Sequence, residues 1–167
     1  MSRCFMATLF IAAVIALSSC GGDGGSSTAT EPGEEPAAAT EADLEGPAED
    51  VEVIRSWAEA LTESDIEAAA AFFAVPSVAE NGLSYDIETV KDAEFFNESL
   101  PCGAELESTT VEGDFITATF ELTERPGVGP CPGSGNSAQT SFVIEDGAIV
   151  EWRRVALPGD EPSGQTA

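Results

Sequence analysis

Residues 146–154 read DGAIVEWRR, and they follow a run at 140–145, TSFVIE, that is rich in β-branched and apolar side chains. Aspartate followed by glycine between two such runs is a strong local signal of a β-hairpin, because both residues accept a positive φ at the turn. Strand alternation gives the second run two faces, one with Val150, Trp152 and Arg154 and the other with Ile149, Glu151, Arg153 and Val155. The sequence therefore predicts a closing antiparallel hairpin that presents Trp152 and Arg154 on one face.

A longer hairpin is predicted upstream of the closing hairpin. Apolar residues alternate on both sides of a turn at Glu112-Gly113-Asp114, first as Ala104 and Leu106 and then as Ile116, Ala118, Phe120 and Leu122. Folding the chain about Gly113 places Cys102 near Glu124 and returns Cys131 to the same end. Residues 1–19 match a signal peptide, and in an exported protein such a pair indicates a disulfide, so we predict a bridge between Cys102 and Cys131. A buried or reactive thiol pair is the alternative, although the C-x-x-C spacing usual for redox sites is missing.

The spacing of apolar residues predicts three helices upstream of these strands. The first spans about residues 50–62. The second begins at Ser64, where Ser64 and Glu67 match a capping box, and it ends before Pro76. The third spans about residues 88–100. Between the last two helices, an Asn81-Gly82 turn and the alternation of Leu83, Tyr85 and Ile87 predict two short strands.

The chain is strongly acidic, with 31 Asp and Glu residues against six Lys and Arg and a formal net charge of −25. Such a charge repels nucleic acid and anionic lipid headgroups, so neither is an expected partner. Histidine is absent, which removes the commonest general base and the commonest metal ligand. No calcium loop of the D-x-D-x-D-G type occurs. We therefore expect no metal site and no cofactor.

The chain begins with one basic residue, Arg3, followed by an uncharged apolar run at 5–17, FMATLFIAAVIAL. This run is too short to span a bilayer, so it matches a secretory signal peptide. The next residues, Leu17-Ser18-Ser19-Cys20, resemble the bacterial lipobox. That resemblance implies cleavage before Cys20 and a lipid on its sulfur, and two or more acyl chains hold a protein firmly on a membrane. An ordinary signal peptide with an incidental cysteine is the alternative.

These observations divide the chain into four parts. We predict a signal peptide at 1–19, a lipidated Cys20 with a disordered acidic tether at 20–48, one folded domain at 49–157 and a disordered tail at 158–167. The tether contains no aromatic and no basic residue and cannot bury a core. The predicted location is the cell membrane, lipid-anchored, on its extracytoplasmic side.

The folded part resembles the nuclear transport factor 2-like, or SnoaL-like, domains. The resemblance rests on the first helix with Trp57, on the Ser64-Asp65 start of the second helix, and above all on DGAIVEWRR at 146–154. It implies an α+β fold in which a cone-shaped, curved antiparallel sheet wraps around three N-terminal helices, as in cystatin-like folds. It also implies a pocket at the open end of the cone.

Catalytic members of this family place an aspartate in the pocket, where burial raises its pKa into a useful range. In the last strand, limonene epoxide hydrolases have a catalytic aspartate two residues after the tryptophan. That position is Arg154 here. The resemblance therefore implies that Trp152 lies in the pocket wall, but it gives this chain no catalytic aspartate. We predict no catalytic residue and a ligand pocket formed by Trp152, Arg154, Tyr85, Phe96 and Phe120. A core or dimer-face position for Trp152 and a surface ion pair for Arg154 are the alternatives.

Two functions remain open from the sequence. The first is a non-catalytic domain that binds a small apolar or weakly anionic ligand, or a protein partner. The second is a pocket enzyme of the isomerase, cyclase or hydrolase type that uses a buried carboxylate without histidine. Asp86, Glu94 and Glu121 are the candidate carboxylates, and each could act only if it is buried. A homodimer through the outer face of the sheet is compatible with both functions.

Overall fold

The computed structural model describes residues 43–157. The predicted signal peptide, Cys20, most of the predicted tether and the predicted tail lie outside the described residues. Within residues 43–157, no helix is both long enough and apolar enough to cross a membrane.

Three helices and six strands follow one another in the predicted order. The helices are α1 Ala48–Thr62, α2 Ile66–Ala71 and α3 Val90–Ser99. The strands are β1 Phe73–Glu80, β2 Ser84–Ile87, β3 Gly103–Glu112, β4 Phe115–Thr123, β5 Ser137–Glu145 and β6 Ala148–Val155. They form one curved sheet in the order β2-β1-β6-β5-β4-β3, which confirms the α+β prediction. Every pairing is antiparallel except that of β1 with β6, which is parallel.

Helix α1 supplies the main helical side of the core. Ile54, Trp57, Ala58 and Leu61 are all buried, at the three- and four-residue spacing that puts them on one face. Trp57 lies among aromatic rings from the sheet, with its centroid 5.6 Å from that of Phe142. The aromatic packing between α1 and the strands therefore makes the helix and the sheet one core.

The start of α2 differs from the sequence prediction. Asp65, not Ser64, caps the helix, and its side chain accepts a hydrogen bond from the Ala68 amide at 3.0 Å. Ser64 has a φ of +61° and donates its hydroxyl to the Pro126 carbonyl at 2.8 Å. The prediction that Ser64 and Glu67 form a capping box is wrong, because the left-handed backbone at Ser64 directs its side chain to a distant loop.

A capping box is present at the start of α3. The Thr89 hydroxyl accepts from the Asp92 amide, and the Asp92 carboxylate accepts from the Thr89 amide at 2.8 Å. The hydrogen bond from the Thr89 hydroxyl, more than any other contact, holds the pKa of Asp92 below its usual value. The start of α3 is thereby fixed directly after β2.

The second helix is also shorter than predicted. It ends at Ala71, and the chain enters β1 at Phe73 and passes through Pro76 within the strand. Phe73 pairs with Ile149 of β6, whose amide donates to the Phe72 carbonyl at 2.8 Å. Pairing with a strand far along the chain thus ends the helix before the local sequence requires it.

A β-bulge in β6 changes which residues share a face. Residues 149 and 151 pair with consecutive residues of β5, so Val150 is one residue more than the partner strand offers. Ile149 is 0% exposed and Trp152 is 4% exposed, and both belong to the same core cluster. The prediction that Ile149 faces away from Trp152 is therefore wrong, because the extra residue reverses the alternation between them.

The chain before α1 pairs with the outer edge of β3. Leu44 forms a parallel bridge with Thr109, and the Glu45 amide donates to the Thr109 carbonyl at 3.3 Å. The Thr109 hydroxyl donates in turn to the Glu45 carbonyl at 2.6 Å. These residues precede the predicted domain start at 49, and they cover part of an otherwise open sheet edge.

Candidate functional site

A pocket of about 360 Å³ opens between the C-terminal half of α1 and strands β3 to β6. Its walls are largely apolar and aromatic, and they include Trp57, Leu61, Ala104, Phe120, Leu122 and Trp152. The polar residues that line it are Asn81, Gln139, Thr140 and Arg154. A cavity of this size and composition suits a small organic molecule that is held mainly by apolar contact and oriented by a few polar groups.

The predicted disulfide is present at the pocket. Cys102 and Cys131 are joined across a sequence separation of 29 residues, with their Cα atoms 4.9 Å apart. Gly103 pairs with Thr123 at the start of β3, which puts Cys102 opposite residue 124 as predicted. Cys102 lines the pocket on one side, and Pro132 and Gly133 line it from the loop that follows Cys131. The bridge therefore holds two parts of the pocket wall together.

Gly103 lets α1 and β3 approach each other closely beside the pocket. A Cβ at this position would lie 2.7 Å from Thr123 Oγ1 and 3.0 Å from Thr62 Cα, so no larger residue fits without movement of the backbone. The Thr62 hydroxyl uses this approach to accept from the Ala104 amide at 2.9 Å and to donate to the Ala104 carbonyl at 3.2 Å. The end of α1 is thereby locked to the first residues of β3.

Both tryptophans line the pocket, and they differ in hydrogen bonding. Trp57 Nε1 donates to Asn97 Oδ1 at 2.8 Å within the core. Trp152 Nε1 is also buried but has no hydrogen-bond partner among the described residues. An unpaired buried N–H costs free energy, so Trp57 is held by both packing and a hydrogen bond, and Trp152 by packing alone.

Adjacent arginines on β6 have different surroundings. Arg154 is exposed and lines the pocket, where it is the one residue of the described lining with a formal charge. Arg153 faces the other side, forms an ion pair with Glu151 and lies over the Phe115 ring at 5.4 Å from its centroid. The pocket therefore has a cation at its solvent-facing side even though the surface of the protein is mostly acidic.

No acidic residue within 43–157 lines the pocket. Asp86 lies on β2 and Glu94 on α3, while Glu121 of β4 pairs with Ser137 in the sheet. Burial, together with the charge of Glu49, raises the pKa of Asp50, which lies in the first turn of α1. In the same part of the chain, no cluster of three or more Asp, Glu, Cys or His side chains is placed to hold a metal ion.

The structure separates the five predicted pocket residues into two groups. Phe120, Trp152 and Arg154 line the pocket, whereas Tyr85 and Phe96 line a second concavity of about 190 Å³ between the β1–β2 hairpin and α3. We call this second concavity the groove, and its lining residues are Ala79, Asn81, Leu83, Tyr85, Phe95, Phe96 and Ser99. The rings of Phe96 and Trp152 are in contact, with centroids 5.0 Å apart, so the two concavities meet at this pair.

A buried arginine that the sequence did not indicate supports the end of α3. Arg125 is 4% exposed, and its Nη1 donates to the carbonyls of Asn97 at 3.1 Å and Leu100 at 2.6 Å. Burial lowers the pKa of the guanidinium, and the charge of Glu98 opposes that shift. An arginine at a helix C-terminus satisfies carbonyls that have no partner within the helix. Nothing in the spacing around residue 125 predicts this distant partner.

No protein-family model matches the chain, and no curated protein matches it. Solved structures do match it, and three of them have a TM-score of 0.50. A candidate polyketide cyclase from Sinorhizobium meliloti is 23% identical, over 62% of this chain and 94% of its own. A nuclear transport factor 2-like protein of unknown function from Cytophaga hutchinsonii is 11% identical, over 64% of this chain and 88% of its own. An uncharacterised cystatin-fold protein from Novosphingobium aromaticivorans is 10% identical, over 64% of this chain and 97% of its own.

These structures share the architecture of this chain, a curved sheet with helices packed on it, at identities that bear on the fold alone. The predicted resemblance of the domain is thereby confirmed at the level of architecture. The chain has the nuclear transport factor 2-like, cystatin-like fold.

Proposed function

We propose that this protein is a lipid-anchored extracytoplasmic protein whose pocket binds a small apolar or weakly anionic ligand without transforming it. The observation that supports binding is the pocket itself, which is about 360 Å³ in volume and is walled by aromatic and aliphatic side chains. Proton transfer by a protein side chain needs a group that titrates near neutral pH within reach of the ligand. The lining residues within 43–157 include no carboxylate, and the whole chain has no histidine.

The polar groups at the pocket favour a ligand with an oxygen at one end. Arg154 offers a charged donor on the solvent-facing side, and a carboxylate that pairs with it would gain a charge-assisted hydrogen bond. Gln139 and Thr140 offer neutral groups on β5. An apolar body against Trp57 and Trp152, with its polar end near Arg154, would satisfy both parts of the lining.

The alternative, a pocket enzyme, needs a carboxylate inside the pocket. Asp86, Glu94 and Glu121 were the candidates, and none of them lines it. No observation on the described residues therefore favours the enzyme over the binding protein, and we propose no second function.

Titration with decanoate and with decanol tests ligand binding, because the two share an apolar chain and differ in charge. Both tryptophans of the chain line the pocket, so intrinsic fluorescence should shift when either compound enters. Arg154→Glu should weaken decanoate about tenfold or more, because it replaces attraction by repulsion, and should leave decanol nearly unchanged.

Arg153→Glu is the matched control, since it makes the same charge reversal on the next residue of β6 without touching the pocket. If Arg153→Glu weakens decanoate as much as Arg154→Glu does, the effect comes from overall charge and not from the pocket. If neither compound changes the fluorescence of the wild type, the proposed ligand class is wrong.

Metabolic labelling with a palmitate analogue tests the anchor. Wild-type protein should carry the label, and Cys20→Ser should remove the label and block cleavage before residue 20. A wild type that is cleaved normally but carries no lipid would refute the anchor and leave the pocket proposal intact.

A further inference from the structure

The groove leaves large apolar side chains in contact with water. Leu83 is 83% exposed and Phe95 is 61% exposed, and both line the same concavity. The Phe95 ring lies 6.1 Å from the Tyr85 ring, measured between centroids, so the apolar surface is continuous across the groove. Scattered exposed apolar residues are ordinary, but a continuous patch in a concavity is typical of an interaction site.

The charged residues of the strands and the helix that form the groove indicate the kind of partner. On β1 and β2, Glu80 and Asp86 alternate with the groove residues Ala79 and Tyr85 and therefore lie on the opposite face of the hairpin. On α3, Glu94 and Glu98 adjoin groove residues in the chain, and Lys91 is the one cation of that helix. A second copy of this chain, with a formal net charge of −25, would bring acids against acids, and an anionic membrane would be repelled in the same way. A partner with positive charge is the complementary one.

The backbone beside the groove favours an extended peptide over a small cation. Strand β2, which carries Tyr85 at the groove, is an edge of the sheet and pairs only with β1 among the strands within 43–157. An edge strand offers unpaired amides and carbonyls that another extended chain can use. The other edge, β3, is partly occupied by the bridge from Leu44.

From these three observations we propose that the groove binds an extended, basic segment of another protein. The segment pairs with Ser84–Ile87 of β2, places one apolar side chain in the groove with Leu83 and Phe95, and directs its basic residues to the opposite face of the hairpin, where Glu80 and Asp86 lie. The groove adjoins the ligand pocket, with which it shares Asn81, but the proposal for the groove does not rest on what the pocket binds.

A labelled synthetic peptide, KVKFKVK with blocked ends, tests this proposal against the full-length chain. The peptide alternates basic and apolar residues, so as a strand it presents phenylalanine on one face and lysines on the other. Fluorescence anisotropy should show binding that weakens as salt is raised from about 0.05 to 0.5 M. Leu83→Ser and Phe95→Ser, which leave every charge in place, should each lower the affinity about tenfold.

The controls separate the groove from general attraction to an acidic surface. Val111→Ser changes an apolar residue that is 45% exposed on β3, the opposite edge, and this variant should bind KVKFKVK as the wild type does. The peptide EVEFEVE should not bind. Amide hydrogen exchange in Ser84–Ile87 should slow when KVKFKVK is bound, because strand pairing protects amides.

Three results would overturn the proposal. The groove is not the site if Leu83→Ser and Phe95→Ser bind KVKFKVK as tightly as the wild type. The segment does not pair with β2 if exchange in Ser84–Ile87 is unchanged at saturation. The occupant is a second copy of this chain if the wild type sediments as a dimer and Leu83→Ser makes it a monomer.

Discussion

The pocket and the groove meet at the contact between Trp152 and Phe96, yet they are built differently. The pocket has a helix, four strands and a disulfide in its wall, and its lining within residues 43–157 has one cation, Arg154. The groove lies between a short hairpin and one face of α3, with no covalent link across it and acids beside it. We therefore expect the pocket to keep its shape without a ligand, whereas the groove depends for cover on the partner that we propose for it.

Removing the disulfide should affect the pocket most. In the chain-entropy model a bridge across 29 residues stabilises the fold by about 3.6 kcal/mol, so Cys102→Ala with Cys131→Ala should lower the free energy of unfolding by about that amount. Urea denaturation of the variant and of the oxidised wild type measures the difference. Decanoate affinity should fall as well, because the bridge holds two parts of the pocket wall.

Chemical reduction of the wild type is the control for the double variant, and it should cause a similar loss of stability. Binding of KVKFKVK, measured where both forms remain folded, should not change, because neither cysteine lines the groove. An equal loss at both concavities would mean that the bridge supports the whole domain and not the pocket wall in particular.

The two tryptophans give the next largest expected difference. Trp57→Phe should cost about 2 to 3 kcal/mol, since it removes a buried hydrogen bond and leaves Asn97 Oδ1 without its donor. Trp152→Phe should cost about 1 kcal/mol, because it loses some packing but also removes an unpaired N–H. Thermal or urea unfolding measures both, and equal costs would contradict the different roles assigned to the two indoles.

The smallest expected effect is at the exposed side of the groove. Leu83→Ser should change the free energy of unfolding by less than about 0.5 kcal/mol, because an 83% exposed side chain contributes little to the core. The same variant should weaken KVKFKVK, so stability and binding separate at this residue. A loss of stability above about 1 kcal/mol would show that Leu83 supports the fold and is not held for a partner.

Much of the fold could be predicted because its signals are local. The Asp146-Gly147 turn has Asp146 at a φ of +52° and Gly147 at +77°, as a two-residue hairpin turn requires. The turn about Gly113 places Cys102 where Cys131 can reach it. The alternation puts Trp152 and Arg154 on one face of β6, and both residues line one pocket.

The wrong predictions concern features that depend on contacts between residues far apart in the sequence. The bulge at Val150 depends on β6 pairing with β1 and β5 together, which no window of sequence contains. Ser64 matches the pattern of a helix cap in the local sequence, but its hydroxyl donates to the Pro126 carbonyl instead. Tyr85 and Phe96 are predicted to line the pocket, and only the packing of α3 on the β1–β2 hairpin assigns them to the groove.

The pairing of Leu44 and Glu45 with Thr109 bears on how densely copies of this protein can be crowded together. Strand β3 is ten residues long, and a bare edge of that length is a template for sheet-to-sheet aggregation. Its carboxylates, Glu105, Glu107 and Glu112, repel neighbours only while salt is low. The backbone cover from Leu44 and Glu45 is steric and does not weaken with salt. Two barriers of different physical origin therefore oppose pairing at this edge, and a chain shortened to begin at Ala48 would retain only the one that salt weakens.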